Sequence, residues 1–263
     1  MFALERINII KNYLREHRKL DVHSLSDMFK VSEVTIRRDL EKLESEGFLT
    51  RIHGGAILAT EDEPGNDRNE GEGDSSERED REEIARMALH LIGDGDVIML
   101  MDGTIGARIA KGLAERSNVT VLTNDLAIAL EVAGQSRNKV VLLGGTPDPA
   151  SGAVFGSLAE ANIRKFYVGK LFFEVDGIDE RLEPTVSSQE KADLILEAAA
   201  CASDKTMLCT PARFSKNAFY RLGPISFADR IITSARIPDS FKARVFANDI
   251  KLFTSIDAFE GGQ

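Results

Sequence analysis

Apolar residues recur at helical spacing through the first part of the chain. Leu4, Ile7, Ile10 and Leu14 lie about one turn apart and predict an amphipathic helix over residues 3–17. Val22, Leu25, Met28 and Phe29 predict the buried side of a second helix, with Asp21 placed to cap it. Lys30-Val31-Ser32 forms a short turn into a third helix, expected near Glu33–Ser45. Ser32 can cap that helix by accepting an otherwise unpaired amide of its first turn. Ile36, Leu40 and Leu43 fall at i, i+4 and i+7 and point at a core. Val34, Thr35, Arg37 and Arg38 are left on the opposite and flanking faces. Gly47 is placed to end the helix where a left-handed residue costs least. Phe48–Ile52 is β-prone, His53-Gly54-Gly55 signals a turn, and Ala56–Leu58 can return as a second strand.

The pattern stops at residue 59. The run T-E-D-E-P-G-N-D-R-N-E-G-E-G-D-S-S-E-R-E-D from Thr60 has almost no apolar residue, so it cannot bury enough surface to offset its ordering entropy. It is expected to be a flexible acidic linker over 59–81, separating a domain at 1–58 from one at 82–263. After Glu82 a helix built on Ile84, Met87, Ala88 and Leu91 runs to Gly93. Strands and helices then alternate. The strands are expected at 97–101, 119–122, 140–143, 167–173, 206–209, 230–233 and 250–254. The helices fall at 105–114, 126–133, 157–165, 188–202 and 239–246. That alternation argues for an α/β domain with a mostly parallel sheet covered on both faces, following an α+β N-terminal domain.

The net charge of −10 would argue against a polyanionic partner if it were spread evenly. It is not. Residues 1–58 carry +1, residues 59–83 carry −9 and the remainder −2, so nearly all the excess acid lies in the linker segment. No apolar run is long enough to cross a bilayer, and no secretory leader is evident, which makes the cytoplasm the expected compartment with no membrane partner. Cys201 and Cys209 match no zinc spacing and are expected to be small buried hydrophobes. His17, His23, His53 and His90 have no ligand-spaced acid or thiol beside them, so no metal is expected. No cofactor motif and no nucleophilic triad is present either.

A helix with outward guanidiniums followed by a small hairpin has the shape of a winged helix-turn-helix. In such a motif the second helix crosses the DNA backbone and the third enters the major groove. Arg37 and Arg38 can contact phosphate or donate twice to a guanine edge, and Thr35 can reach a phosphate or a thymine methyl. Lys30, Lys42 and Arg51 are candidate phosphate contacts, and Ser32, Glu33, Val34 and His53 complete the candidate DNA-binding set. In the second half, ligands of a parallel sheet sit at the carboxyl ends of its strands. Those ends carry Asp102-Gly103-Thr104, Thr123-Asn124-Asp125 and Leu143-Gly144-Gly145. Gly103 and Thr104 precede a helix, where free amides and the dipole favour an anion. Thr123 and Asn124 can bond hydroxyls or phosphate oxygens, and Gly144 and Gly145 allow close backbone approach. Asp176 and Asp179 flank a turn at Gly177 and stand evenly between a solvated turn and a pocket role.

These stretches resemble the DeoR-type bacterial transcription regulators. The N-terminal match runs through Glu5-Arg6, Val31–Leu40 and Leu43–Ala56; the C-terminal one through Ile84–Ala88, Gly103-Thr104, Thr123–Ala129, Leu142–Gly145 and Val175–Asp179. The resemblance implies a winged helix-turn-helix joined to a sugar-phosphate-isomerase-like sensor domain, an operator in double-stranded DNA, a phosphorylated sugar as effector, and a homo-oligomer of at least two chains. Several positions depart from the family pattern. Met101-Asp102-Gly103-Thr104-Ile105 stands where the family has Asp-Ser-Gly-Thr-Thr, Glu174 stands near a usual glycine, and Thr210-Pro211-Ala212-Arg213 replaces an Asp-Ser-Ser-Lys turn. Arg213 keeps a positive charge with a different reach. Three readings stay open: a repressor of carbohydrate genes controlled by a sugar phosphate or related metabolite, a DNA-binding protein with an altered or inert pocket, and a sugar-phosphate isomerase using Asp102, Asp176, Asp179 or Glu190 as base.

Overall fold

The computed structural model describes residues 6–7, 9–11, 13–14, 19–45, 49–52, 55–58, 75–248 and 250–254. The chain divides into two compact units, Met1–Glu63 and Pro64–Gln263.

In the first unit the described residues between 6 and 14 are helical and bury Ile7, Ile10 and Leu14. Leu4 lies outside the described residues. Helix α1 (Val22–Phe29) follows strand β1 (Lys19–Asp21), and helix α2 spans Glu33–Ser45, the range expected from sequence. Met28 is a correction. It was expected on the buried side of α1 but is 55% exposed. At about 100° per residue it sits roughly 90° away from the stripe formed by Val22, Leu25 and Phe29. The turn between the helices is tied by Ser26: its carbonyl accepts from the Val31 amide at 3.2 Å, and its hydroxyl donates to the Val31 carbonyl at 2.7 Å.

Ile36, Leu40 and Leu43 are fully buried, as their spacing requires. Strands β2 (Leu49–Ile52) and β3 (Gly55–Leu58) pair antiparallel. Strand β1 adds to the far side of β3, which the sequence pattern did not reveal. The backbones of β1 and β3 come so close that a Cβ on Gly55 would lie 2.2 Å from the Leu20 carbonyl oxygen, so glycine is required there. Gly47, Phe48, His53 and Gly54 lie outside the described residues.

In the second unit, helix α3 spans Ser75–His90 and so begins inside the segment expected to be linker. Composition marks these residues as solvated, but Asp80 is buried and accepts hydrogen bonds from the Ser234 hydroxyl and Arg236 Nε, long-range contacts that fix the helix. Helices α4 (Thr104–Gly112), α5 (Leu126–Ala133), α6 (Ser157–Ile163), α7 (Gln189–Cys201) and α8 (Asp239–Ala247) alternate with seven parallel strands. These strands are β4 (Val97–Leu100), β5 (Thr120–Thr123), β6 (Lys139–Leu142), β7 (Val168–Glu174), β10 (Ala202–Leu208), β12 (Arg230–Ile232) and β13 (Lys251–Phe253). Their order is β13-β12-β10-β7-β4-β5-β6.

Period-two alternation splits the core in two. Ile98, Leu100 and Phe172 face the layer of α3, α4 and α5, whereas Met99, Leu171 and Phe173 face that of α6, α7 and α8. A separate antiparallel sheet, β11-β9-β8, is formed by Gly177–Ile178 (β8), Pro184–Val186 (β9) and Tyr220–Arg221 (β11). Its strands of two or three residues show no periodicity in the sequence. Among the described residues no helix is long and apolar enough to cross a membrane.

The strand order reverses between β4 and β7: β5 and β6 extend one way, β10, β12 and β13 the other. Such a switch point opens a crevice at the carboxyl ends of the strands.

One ion pair organises the first unit. Arg6 Nε and Nη2 donate to the two carboxylate oxygens of Asp39 at 2.5 and 3.1 Å, joining the N-terminal helical stretch to α2. Both residues are buried, and the Asp39 carboxylate holds the guanidinium pKa above its ordinary value. Removing one partner strands the other charge. Asp39→Ala is therefore expected to destabilise the N-terminal unit by about 3–5 kcal/mol, read by urea denaturation. A loss under about 1 kcal/mol, the scale of an exposed pair, would contradict this role.

Candidate functional site

The first candidate surface is the outer face of α2. The Thr35 amide donates to Ser32 Oγ at 3.3 Å, so Ser32 is the cap its sequence position suggested. Ser32, Val34, Arg37, Arg38, Lys30 and Lys42 are exposed, while Glu33 and Thr35 are half-buried. Lys30 takes a left-handed backbone, φ 55°, at the tight turn before the helix. Arg37 is held by Glu33 one turn earlier, Nη2 to Oε2 at 2.9 Å. Both side chains are well exposed, and such a pair is worth only a few tenths of a kcal/mol (~0.3–0.5). A phosphate or base edge can therefore recruit this guanidinium at little cost. Arg51 lies on β2, and His53 falls outside the described residues.

The second candidate site lies at the switch point. Leu100 of β4 pairs with Phe172 of β7, so Asp102 and Glu174, each two residues further on, sit level at the strand ends. Glu174 Oε1 accepts from the amides of Ile105 and Gly106 at 2.7 and 3.0 Å. The first turn of α4, expected to receive a ligand anion, thus receives a carboxylate of the protein itself. It packs hard against Gly103, where a Cβ would lie 2.1 Å from Glu174 Oε1. Gly103 has φ 144°, open to glycine and strained for other residues.

Lys191, in the first turn of α7, points its ammonium at this cluster. Nζ lies 3.4 Å from Asp102 Oδ2 and 3.8 Å from Asp176 Oδ1. Burial pulls the Lys191 pKa down, but Asp102, Asp176 and Glu174 together raise it well above the ordinary value, so the ammonium stays charged. Asp176 Oδ2 also accepts from the amide and hydroxyl of Ser187, both at 2.8 Å. Asp176 therefore belongs to the strand-end cluster, whereas Asp179 serves its turn by accepting from the amides of Arg181 and Glu183.

The other expected ligand residues fall into different roles. Asn124 is fully buried: its amide donates to Asp102 Oδ1 at 3.1 Å and to the Val154 carbonyl at 3.3 Å, and its carbonyl accepts from the Asp102 amide at 3.0 Å. It braces Asp102. Thr123, also fully buried, uses Oγ1 to accept from the Asp125 amide, and Asp125 in turn caps α5. Thr104 is half-buried at the start of α4. Gly144 and Gly145 are exposed beyond β6, Gly145 packing against Val154. Arg213 is half-buried on a short 3-10 turn, close enough to the buried Cys209 thiol to pull its pKa down against the rise that burial causes. Cys201 is only half-buried, a departure from expectation, and both thiols are free.

Lys191 and Glu174 are the residues that sequence reasoning did not place in the site. Glu174 had one signal, its departure from the family glycine. Lys191 had none, because a lysine in a first helical turn is unremarkable until the acids facing it are known. Among the described residues no group of His, Cys, Asp and Glu is arranged to hold a metal ion.

Desolvation pushes the Glu174 carboxyl from 4.5 up to about 7, against the opposing pull of the Gly106 amide, Lys191 and the Ile105 amide. Between the two values the native chain keeps a proton that the unfolded chain has released. Stability from this group is full below about pH 4.5, falls as pH rises, and levels off above about pH 7. The difference in unfolding free energy between wild type and Glu174→Gln should shift against wild type across that window. A difference that stays flat with pH would contradict the buried-carboxyl assignment.

Two family models together cover both stretches of the chain that carry these sites. The DeoR-like helix-turn-helix domain matches residues 6–62, and the DeoR C-terminal sensor domain matches residues 76–235. An uncharacterised HTH-type transcriptional regulator, YulB of Bacillus subtilis, is 32% identical over 92% of this chain and 93% of its own. The lactose phosphotransferase system repressor of Lactococcus lactis is 30% identical over 88% of this chain and 91% of its own. A D-ribose-5-phosphate isomerase in complex with phospho-erythronic acid shares 15% identity and a TM-score of 0.39 over 52% of this chain and 54% of its own, too little to carry a conclusion about activity. With one family domain over α2 and the other over the strand-end cluster, the chain belongs to the DeoR family of helix-turn-helix transcriptional regulators.

Proposed function

We propose that the protein is a repressor of carbohydrate genes whose affinity for its operator is set by a sugar phosphate or related metabolite bound at the strand-end cluster. The observation that carries the reading is the presence in one chain of an exposed Arg37-Arg38 helix face and a charged cluster at the sheet's switch point. The relative named as a lactose phosphotransferase system repressor supports the carbohydrate setting. An effector acts by binding the DNA-competent and incompetent states unequally. Two copies in a symmetric assembly present two recognition helices to paired half-sites, so a dimer is the smallest unit this reading uses. Lys30, Ser32, Glu33, Val34, Thr35, Arg37, Arg38, Lys42, Arg51 and His53 form the proposed DNA surface. The DNA-binding domain runs 1–58, the sensor domain takes in α3 from Ser75, the acidic stretch between them is the tether, and the working compartment is the cytoplasm.

An isomerase would need a carboxylate free to take a carbon-bound proton. Here Asp102 is braced by Asn124 and faces Lys191, Asp176 is held by Ser187, and Asp179 is tied into its turn. That arrangement favours binding over turnover.

The test is binding of the purified chain to DNA from upstream of its own gene. Wild type should bind one segment specifically, and the affinity should fall steeply with salt. Arg37→Ala or Arg38→Ala should lose about 1–3 kcal/mol if that side chain reads a base, with an unchanged melting temperature. If both variants keep wild-type affinity and sequence preference, α2 is not the recognition helix.

A further inference from the structure

A ligand anion at the N-terminus of a helix needs two things: amides that are not already bonded, and room beside them. At α4 neither is open. The amides of Ile105 and Gly106 converge on one oxygen of Glu174, and the carboxyl group lies directly against Gly103. The sheet fixes this placement. Glu174 ends β7, pairs across to Leu208 of β10, and stands level with Asp102 beyond β4. An anion approaching this turn also meets the carboxylates of Asp102 and Asp176, with Lys191 as their shared counter-charge.

We propose that Glu174 determines the effector class of this sensor: its carboxylate fills the anion position at the start of α4, so the strand-end site takes an uncharged, hydroxyl-rich carbohydrate and rejects phosphate esters. The inference rests on the reading that the strand-end cluster is the effector site, and it narrows the effector of that reading from a sugar phosphate or related metabolite to the unphosphorylated class. The chemistry of the cluster suits such a ligand. Sugar hydroxyls are donors, and three carboxylates offer acceptor lone pairs around a single ammonium. A phosphate dianion would face like-charge repulsion and would have to displace Glu174 from two short hydrogen bonds.

Inorganic phosphate is the probe. Thermal unfolding of the full chain is followed against phosphate, with chloride at matched ionic strength as control. Wild type should show no saturable, phosphate-specific rise in melting temperature. Glu174→Gly and Glu174→Ala, which vacate the position, should gain one, with apparent phosphate affinity roughly tenfold or more above wild type. Glu174→Gln, which keeps an acceptor on both amides, should gain none. Operator binding by the same variants reports separately on the DNA-binding reading and shows whether each is folded.

Saturable phosphate stabilisation of the wild type would overturn the proposal. So would indifference to phosphate in vacated variants that still bind operator. Should the vacated variants fail to fold, wild type decides alone, tested with free sugars and their own phosphate esters. A response to the free sugar only sustains the proposal, and a response to the esters only overturns it.

Discussion

The buried ammonium of Lys191 is the charge on which the strand-end site depends. Asp102, Glu174 and Asp176 are brought together by strand order, and burying three acidic side chains so close is costly without a cation between them. Lys191 supplies it from an unfavourable position. It lies in the first turn of α7, where the helix dipole opposes positive charge, and its own amide is capped by Ser188 Oγ at 3.1 Å. The acids outweigh that local cost. Burial still pushes the Glu174 carboxyl up to about 7, against the downward pull of Lys191.

The same logic recurs, differently placed, in the other unit. Arg6 and Asp39 form a buried bidentate pair behind α2, and the guanidiniums of Arg37 and Arg38 stand on its exposed side. One face of the helix is pinned by a charge pair that is largely withdrawn from water. The other keeps its charges where a nucleic acid can. The start of α3 is fixed in a third way, by Asp80 on Ser234 and Arg236, so the segment leaving the acidic stretch is anchored to the sheet's far strands.

Local patterns were legible in the sequence and distant adjacencies were not. The bounds of α2 follow from a cap, an apolar triplet and two arginines, all within one helix. Leu126–Ala133 was equally plain, because Asp125 caps it and the apolar run ends at Gly134. Strand β1, by contrast, is three residues stabilised by pairing with residues more than thirty positions later. The start of α3 depends on side chains over 150 positions away. The candidate ligand residues divide the same way. The strand-end turns were found by position, and the structure brings Asp102 and Asp176 together there around Lys191. Thr123 and Asn124 proved to brace the turns, because a buried polar side chain at a strand end satisfies the nearest backbone or side-chain partner first. Glu174 acquires its meaning from the register of β4 against β7, which no local pattern carries.

Under the proposed function, the strand-end cluster is where a carbohydrate changes the protein's hold on DNA. The most direct measurement is the operator dissociation constant of the full chain at fixed salt, taken with a panel of free sugars, polyols and their phosphate esters, for wild type and for Asp176→Ala. At least one unphosphorylated compound should shift the wild-type constant, and Asp176→Ala should remove the shift while leaving operator binding intact. Operator binding that no compound alters, or an undiminished response in Asp176→Ala, would contradict it.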